Sequence, residues 1–229
     1  MRRLPANRYL LFFTIALAGS AFDVLSKDAV FNDLGYPAGF NLPFEVGQHE
    51  IFAHPAQIEG RSDPFVDSWV GFRLYTSFNE GALWGFGQGM QTVFVVLACV
   101  ALVGVVGWLF VFRAAESVWL TLCLALITAG TLGNLYDRVG WHGYVDPSNG
   151  PIYAVRDFLL FTFGEWPWPV FNFADVFLVT GAALLVLQSV LIEFGKAQQP
   201  GVDQDRAQSP DTESSDPPAK ASGRQQLAS

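Results

Sequence analysis

Residues 170–194 read VFNFADVFLVTGAALLVLQSVLIEF, an apolar run long enough to cross a bilayer as a helix, yet it carries Asn172 and Asp175 near its start. A carboxylate in a lipid-facing helix costs about 2.5–3.5 kcal/mol, so such a residue turns toward a bundle interior and has a task there. Asn172 and Asp175 lie three residues apart and share one helical face. What the rest of the chain can fold into is constrained by the need to meet that carboxylate.

Three more apolar runs, at 9–26, 90–112 and 117–136, predict a four-transmembrane-helix bundle, an all-α membrane protein. With 51% hydrophobic and 15% charged residues, the composition is too apolar for an ordinary soluble domain. The net charge of −8 and the lack of a basic stripe argue against a nucleic-acid partner. The first run could be a cleaved leader, because residues 18–21 offer small side chains. Its apolar pattern continues past Ala21, which favours a retained helix.

The polar segment 27–89 contains WVGFRLY at 69–75, whose alternation suits a small β element. A second polar segment, 137–169, ends in EWPWP, and indole rings favour the membrane–water boundary. The membrane domain is expected to span 1–195, followed by a polar tail, 196–229, too poor in large apolar residues to fold. Cys99 and Cys123 lie in apolar runs, where packing is expected rather than a disulfide. His49, His54 and His142 have no ligand-like spacing, so neither metal nor cofactor is expected.

Arg2, Arg3 and Arg8 precede the first run, and Arg113 lies in the short turn between the second and third. By the positive-inside rule both termini are cytoplasmic and both long loops lie outside. The polar residues then gather at the outer ends of the helices: Asp23 and Lys27 on the first, Asn134, Asp137 and Arg138 on the third, Asn172 and Asp175 on the fourth. Asp157, flanked by apolar residues in the last loop, is expected to dip to the membrane surface. A channel or transporter needs polar residues near the midplane, so this asymmetry suits instead a site that works at the outer face on something anchored in the membrane.

Simpler structural readings exist for several of these groups. Asp23 and Lys27, four apart, can form an ion pair at a helix end. Asn172 can cap a helix or bond between helices. The glycine-rich stretch 79–89 can be a plain turn into the second helix. Asp175 is the hardest to explain in this way. Two carboxylates in close proximity share one proton, so one can activate a water while the other polarises the attacked carbonyl. No Ser or Cys has an evident His partner, which weakens a triad.

Five blocks now stand in order on the four-helix frame: FDVLSK at 22–27, NEGALWG at 79–85, GNLYDR at 133–138, VRDF at 155–158 and FNFAD at 171–175. Together they resemble lipoprotein signal peptidase, signal peptidase II, over most of residues 9–194. The resemblance implies a membrane aspartic peptidase in which Asp157 and Asp175 form the catalytic dyad. It implies that Asn134, Asp137, Arg138 and Asn172 orient the dyad and hold the substrate backbone. Asn79 and Gly81 belong by the same resemblance to the outer segment beside the site, with Asp23 and Lys27 supporting it. The implied substrate is a prolipoprotein whose cysteine already carries diacylglycerol, cut just before that cysteine. The implied setting is the bacterial cytoplasmic (inner) membrane, with a monomer in contact with lipid. The competing reading is a non-enzymatic membrane protein, a small carrier or assembly factor, that uses the outer polar cluster for binding.

Overall fold

The apolar runs form helices because, in hydrocarbon, every backbone N–H and C=O must be satisfied within its own segment. The computed structural model describes residues 6–35, 65, 68–81, 89–146 and 150–197. Within them lie four helices long and apolar enough to cross a membrane. The tail beyond 197, the 36–64 stretch of the first long loop, and Ala82, Leu83, Trp84 and Gly85 of the NEGALWG block lie outside the described residues. Residues 1–188 group as one unit and 189–229 as a second, of which only the end of the fourth helix is described.

Helix α1 covers Ala6–Leu34, eight residues past its expected end at 26. Its buried residues Phe12, Ala16, Asp23, Lys27 and Phe31 follow helical spacing along one stripe, and Phe31 continues that stripe where the sequence turns polar. Lys27, expected at the start of a loop, therefore sits well inside the helix. The Gly35 N–H closes the end on the Phe31 carbonyl at 3.0 Å, with Gly35 at φ +75°, a conformation that favours glycine.

Helix α2 (Gln91–Val106) runs on into one π-helical turn, Gly107–Val111, and no residue of α2 is buried. Helix α3 (Val118–Arg138) starts at Ser117, whose hydroxyl accepts from the Leu120 N–H at 3.2 Å. It is the most enclosed of the four: Cys123, Ala125, Ala129 and Asp137 have no exposure. Helix α4 (Phe173–Ala197) approaches α3 at backbone distance through small residues. A Cβ on Gly130 would collide with the Ala174 carbonyl, and one on Gly181 would lie 2.8 Å from the Cys123 carbonyl.

Among the described residues five strands accompany the helices. Strand β1 (Val70–Asn79) is longer than the expected 69–75 element and includes Asn79, where the glycine-rich sequence also allows a plain turn. Strands β2 (Val145–Asp146) and β3 (Gly150–Pro151) form a two-stranded ladder. Strands β4 (Val155–Phe163) and β5 (Trp166–Pro167) join β1 in the order β1-β4-β5. Asp157, expected in a loop, thus lies in β4. Val155 to Leu160 are all buried, so the strand has no alternation of buried and exposed residues, and its charged pair, Arg156 and Asp157, is enclosed with the apolar ones. Phe31, Phe158 and Leu159 form a core with Phe72, Leu74, Phe78 and Tyr144, which seats the sheet on the far end of α1.

Candidate active site

The first turn of α4 places one acid. Asn172 stands just before the helix, and its Oδ1 accepts from the Asp175 N–H at 3.1 Å. Asp175 Oδ2 in return accepts from the Asn172 N–H at 3.2 Å, a reciprocal capping arrangement. The other oxygen, Asp175 Oδ1, accepts from Asn134 Nδ2 of α3 at 2.9 Å. The start of a helix favours negative charge, so the backbone and two asparagines agree on where this carboxylate sits.

Strand β4 places the second acid. Asp157 is 2% exposed and accepts from Asn79 Nδ2 at 2.9 Å and from Asn172 Nδ2. In the antiparallel pairing of β1 with β4, Leu74 stands opposite Leu159 and Ser77 opposite Asp157. The extra residue between these pairs is a bulge. Without it Thr76 would face Asp157 and Asn79 would point to the other side of the sheet, since side chains alternate. The bulge therefore turns Asn79 onto the acid. Phe171 then stitches β4 to the start of α4: the Phe158 and Leu159 N–H groups donate to the Phe171 carbonyl at 3.0 and 2.8 Å, and the Phe171 N–H donates to the Leu159 carbonyl at 3.1 Å. This brings Asn172 between the two acids.

Burial, then the neighbouring charge of Asp175, pushes the Asp157 carboxyl up to about 8, against the pull of Asn79, Lys27 and Asn172. Both causes favour the protonated form of Asp157 relative to an ordinary aspartate.

Behind the acids lies a buried ionic core. Lys27 Nζ is 2.7 Å from Asp23 Oδ2, 3.0 Å from Asp137 Oδ2 and 3.2 Å from Asn134 Oδ1. Asp23 Oδ1 accepts from the Ala174 N–H at 2.7 Å, tying α1 to the start of α4. Asp137 also takes Arg156, from Nη2 at 2.9 Å and from Nε at 3.0 Å. Asp23, Lys27, Asp137 and Arg156 are all fully buried, two anions balanced by two cations.

Of the residues expected at the site, Asp157, Asp175, Asn134, Asn172, Asn79, Asp23, Lys27 and Asp137 join in one bonded network. Asp137 is bonded to neither acid; it reaches Asp175 through Lys27 and Asn134, and Asp157 through Arg156, the residue before it in β4. Arg138 stands apart: it donates to the Gly81 carbonyl at 2.8 Å and to Gln91 Oε1 at 2.9 Å, with its guanidinium over the Phe94 ring. Gly81 in turn donates its N–H to Asn79 Oδ1 at 3.0 Å, so Arg138 secures the chain that carries Asn79. Two residues absent from the sequence-based expectation, Asp28 and Arg156, belong to the ionic core. The available signal was an arginine beside Asp157 in the otherwise apolar VRDFLLF run. Among the described residues no group of three or more His, Cys, Asp or Glu could hold a metal ion.

Fold and site together define a polytopic, four-span membrane protein with a paired-acid centre at one end of its bundle. The family model of signal peptidase (SPase) II matches residues 15–191. A lipoprotein signal peptidase of Rhodopirellula baltica is 40% identical over 186 residues, 81% of this chain and 74% of that protein. One from Serratia proteamaculans is 35% identical over 60% of this chain and 75% of its own length. Two solved bacterial membrane enzyme structures, obtained by the in meso method, share the fold, with TM-scores of 0.57 and 0.53 at 21% and 22% identity. They align with 88% and 82% of this chain and with 97% and 94% of their own. The chain belongs to the signal peptidase II family and is a multi-pass bacterial membrane peptidase.

Proposed function

We propose that the chain removes the signal peptide from diacylglyceryl-modified prolipoproteins, cutting before the lipidated cysteine, with Asp157 and Asp175 as an aspartic dyad. Family membership supports cleavage of prolipoprotein signal peptides. The observation that carries the dyad is Asn172, whose side chain donates to Asp157 while its backbone N–H donates to Asp175. In this reading Asp175 takes a proton from water as the water attacks the scissile carbonyl. Asp157, protonated at neutral pH, gives its proton to the carbonyl oxygen. The resulting diol collapses as Asp175 returns a proton to the departing amine and Asp157 recovers one from a hydroxyl, breaking the C–N bond. Asn134 and Asn172 hold the carboxylates in register for both transfers. Arg2, Arg3, Arg8 and Arg113 favour cytoplasmic termini, which puts the acids at the outer face, where the lipid of such a substrate sits.

The test is processing of a diacylglyceryl-prolipoprotein by purified Asp157→Asn and Asp175→Asn variants. Each is expected to lose activity by about 10²–10⁴-fold, the scale of a lost acid or base, while still inserting and folding. Wild-type rates in either variant would remove the dyad. Because two carboxylates supply both proton transfers, a chelator should leave the rate unchanged; inhibition reversed by added metal would favour metal-assisted hydrolysis instead.

A further inference from the structure

The chemistry above employs Asp157 but does not explain why a fully buried arginine immediately precedes it. Arg156 touches two helices, α3 and α1, and the loop residue Tyr144. Its backbone N–H donates to Asp137 Oδ2 of α3 at 3.0 Å, and its Nε and Nη2 reach Asp137 Oδ1 at 3.0 and 2.9 Å. Its Nη1 pairs with Asp28 of α1. The rings of Phe31 and Tyr144 flank the guanidinium at 5.8 and 5.9 Å. Asp28 and Phe31 both belong to the stretch by which α1 overruns its expected end, so the extra helical turns meet this one side chain.

Successive residues of a strand face opposite ways, so Arg156 points into the ionic core while Asp157 faces Asn79 and Asn172. Anchoring the Arg156 backbone and side chain therefore fixes how far Asp157 stands from α3 and α4. A second line runs through side chains. Asp137 holds Lys27 at 3.0 Å, Lys27 holds Asn134 at 3.2 Å, and Asn134 donates to Asp175 at 2.9 Å. One route from Arg156 ends on each acid.

We propose that Arg156, clamped between Asp28 and Asp137, is a positioning residue that sets the spacing of Asp157 and Asp175. This rests on the dyad reading. Buried ion pairs add little net stability, which leaves geometry as the property such a clamp supplies. A guanidinium suits the role better than an ammonium, because its planar fork serves Asp137 and Asp28 together, whereas an ammonium is a single compact charge.

The test compares kcat and KM of the full chain in detergent micelles on a diacylglyceryl-prolipoprotein peptide for Arg156→Met, Arg156→Lys, Asp28→Asn and Asp157→Asn. A misplacement of about 1 Å can cost ~10²-fold, so Arg156→Met is expected to lose about that factor in kcat with KM within about twofold of wild type. Arg156→Lys should recover part of the loss, and Asp28→Asn should lose about tenfold in kcat. Should Arg156→Met fail to fold, Asp28→Asn decides, since the Asp28 side chain is 43% exposed and its loss leaves the core charges paired. Wild-type kcat in Asp28→Asn, or losses lying wholly in KM, would overturn the proposal. Asp157→Asn separates the two ideas: an active Asp157→Asn enzyme ends the dyad reading, whereas an inactive one beside unimpaired Arg156→Met and Asp28→Asn ends only the positioning role.

Discussion

Asp157 keeps a proton in the folded chain that the unfolded chain would release. Its carboxyl sits at about 8, against 3.8 for an ordinary aspartate. Between those values the folded state binds more protons than the unfolded state, so this group's contribution to stability falls as pH rises. The contribution is complete below about pH 4 and gone above about pH 8. The thermal midpoint of the detergent-solubilised protein should decline across pH 5–8, and Asp157→Asn should flatten that slope. Activity should show an alkaline limb near the same pH, because the acid that serves the carbonyl is lost. A flat rate profile to pH 9 in the wild type would contradict this assignment. Asn172 bonds both acids and also caps α4, so the capping reading and the proposed site role are compatible in one residue.

At the scale of elements, the packing of α3 against α4 decides where Asp175 stands. Gly130 faces the Ala174 carbonyl and Leu178, one residue and one turn from Asp175. Gly130→Ala is therefore expected to lower stability by about 1–3 kcal/mol, the usual cost of overpacking, and to reduce cleavage as the first turn of α4 shifts. Gly104→Ala on α2, where nothing lies within 4 Å, is expected to do neither. Thermal unfolding and processing assays on the pair check this. The helices themselves were legible because long apolar runs admit few other folds in a membrane. The far end of α1 was not: FNDLG reads as loop, and only the 12–16–23–27–31 spacing reveals that Phe31 extends the buried stripe. Asp157 was legible through its block, but its strand was not, because a buried run without alternation looks like any short apolar segment. Arg156 stayed hidden because its partners, Asp28 and Asp137, are 128 and 19 residues away.

Across the whole molecule, the residues that carry the site end at Asp175 and the family match ends at 191. A chain terminated after Ala197 should therefore insert and process substrate at the wild-type rate; a fall in kcat would assign the tail a part in the reaction. Charge is also arranged in a way that bears on biogenesis. Asp23 and Lys27 occupy α1, which leaves the ribosome before Asp137 or the start of α4 has been translated. Set four residues apart on one face, they neutralise each other, so the nascent segment can enter the bilayer as a dipole rather than as two isolated ions. The salt bridge at the heart of the finished protein is thus also a travelling companion for α1 until its later partners arrive.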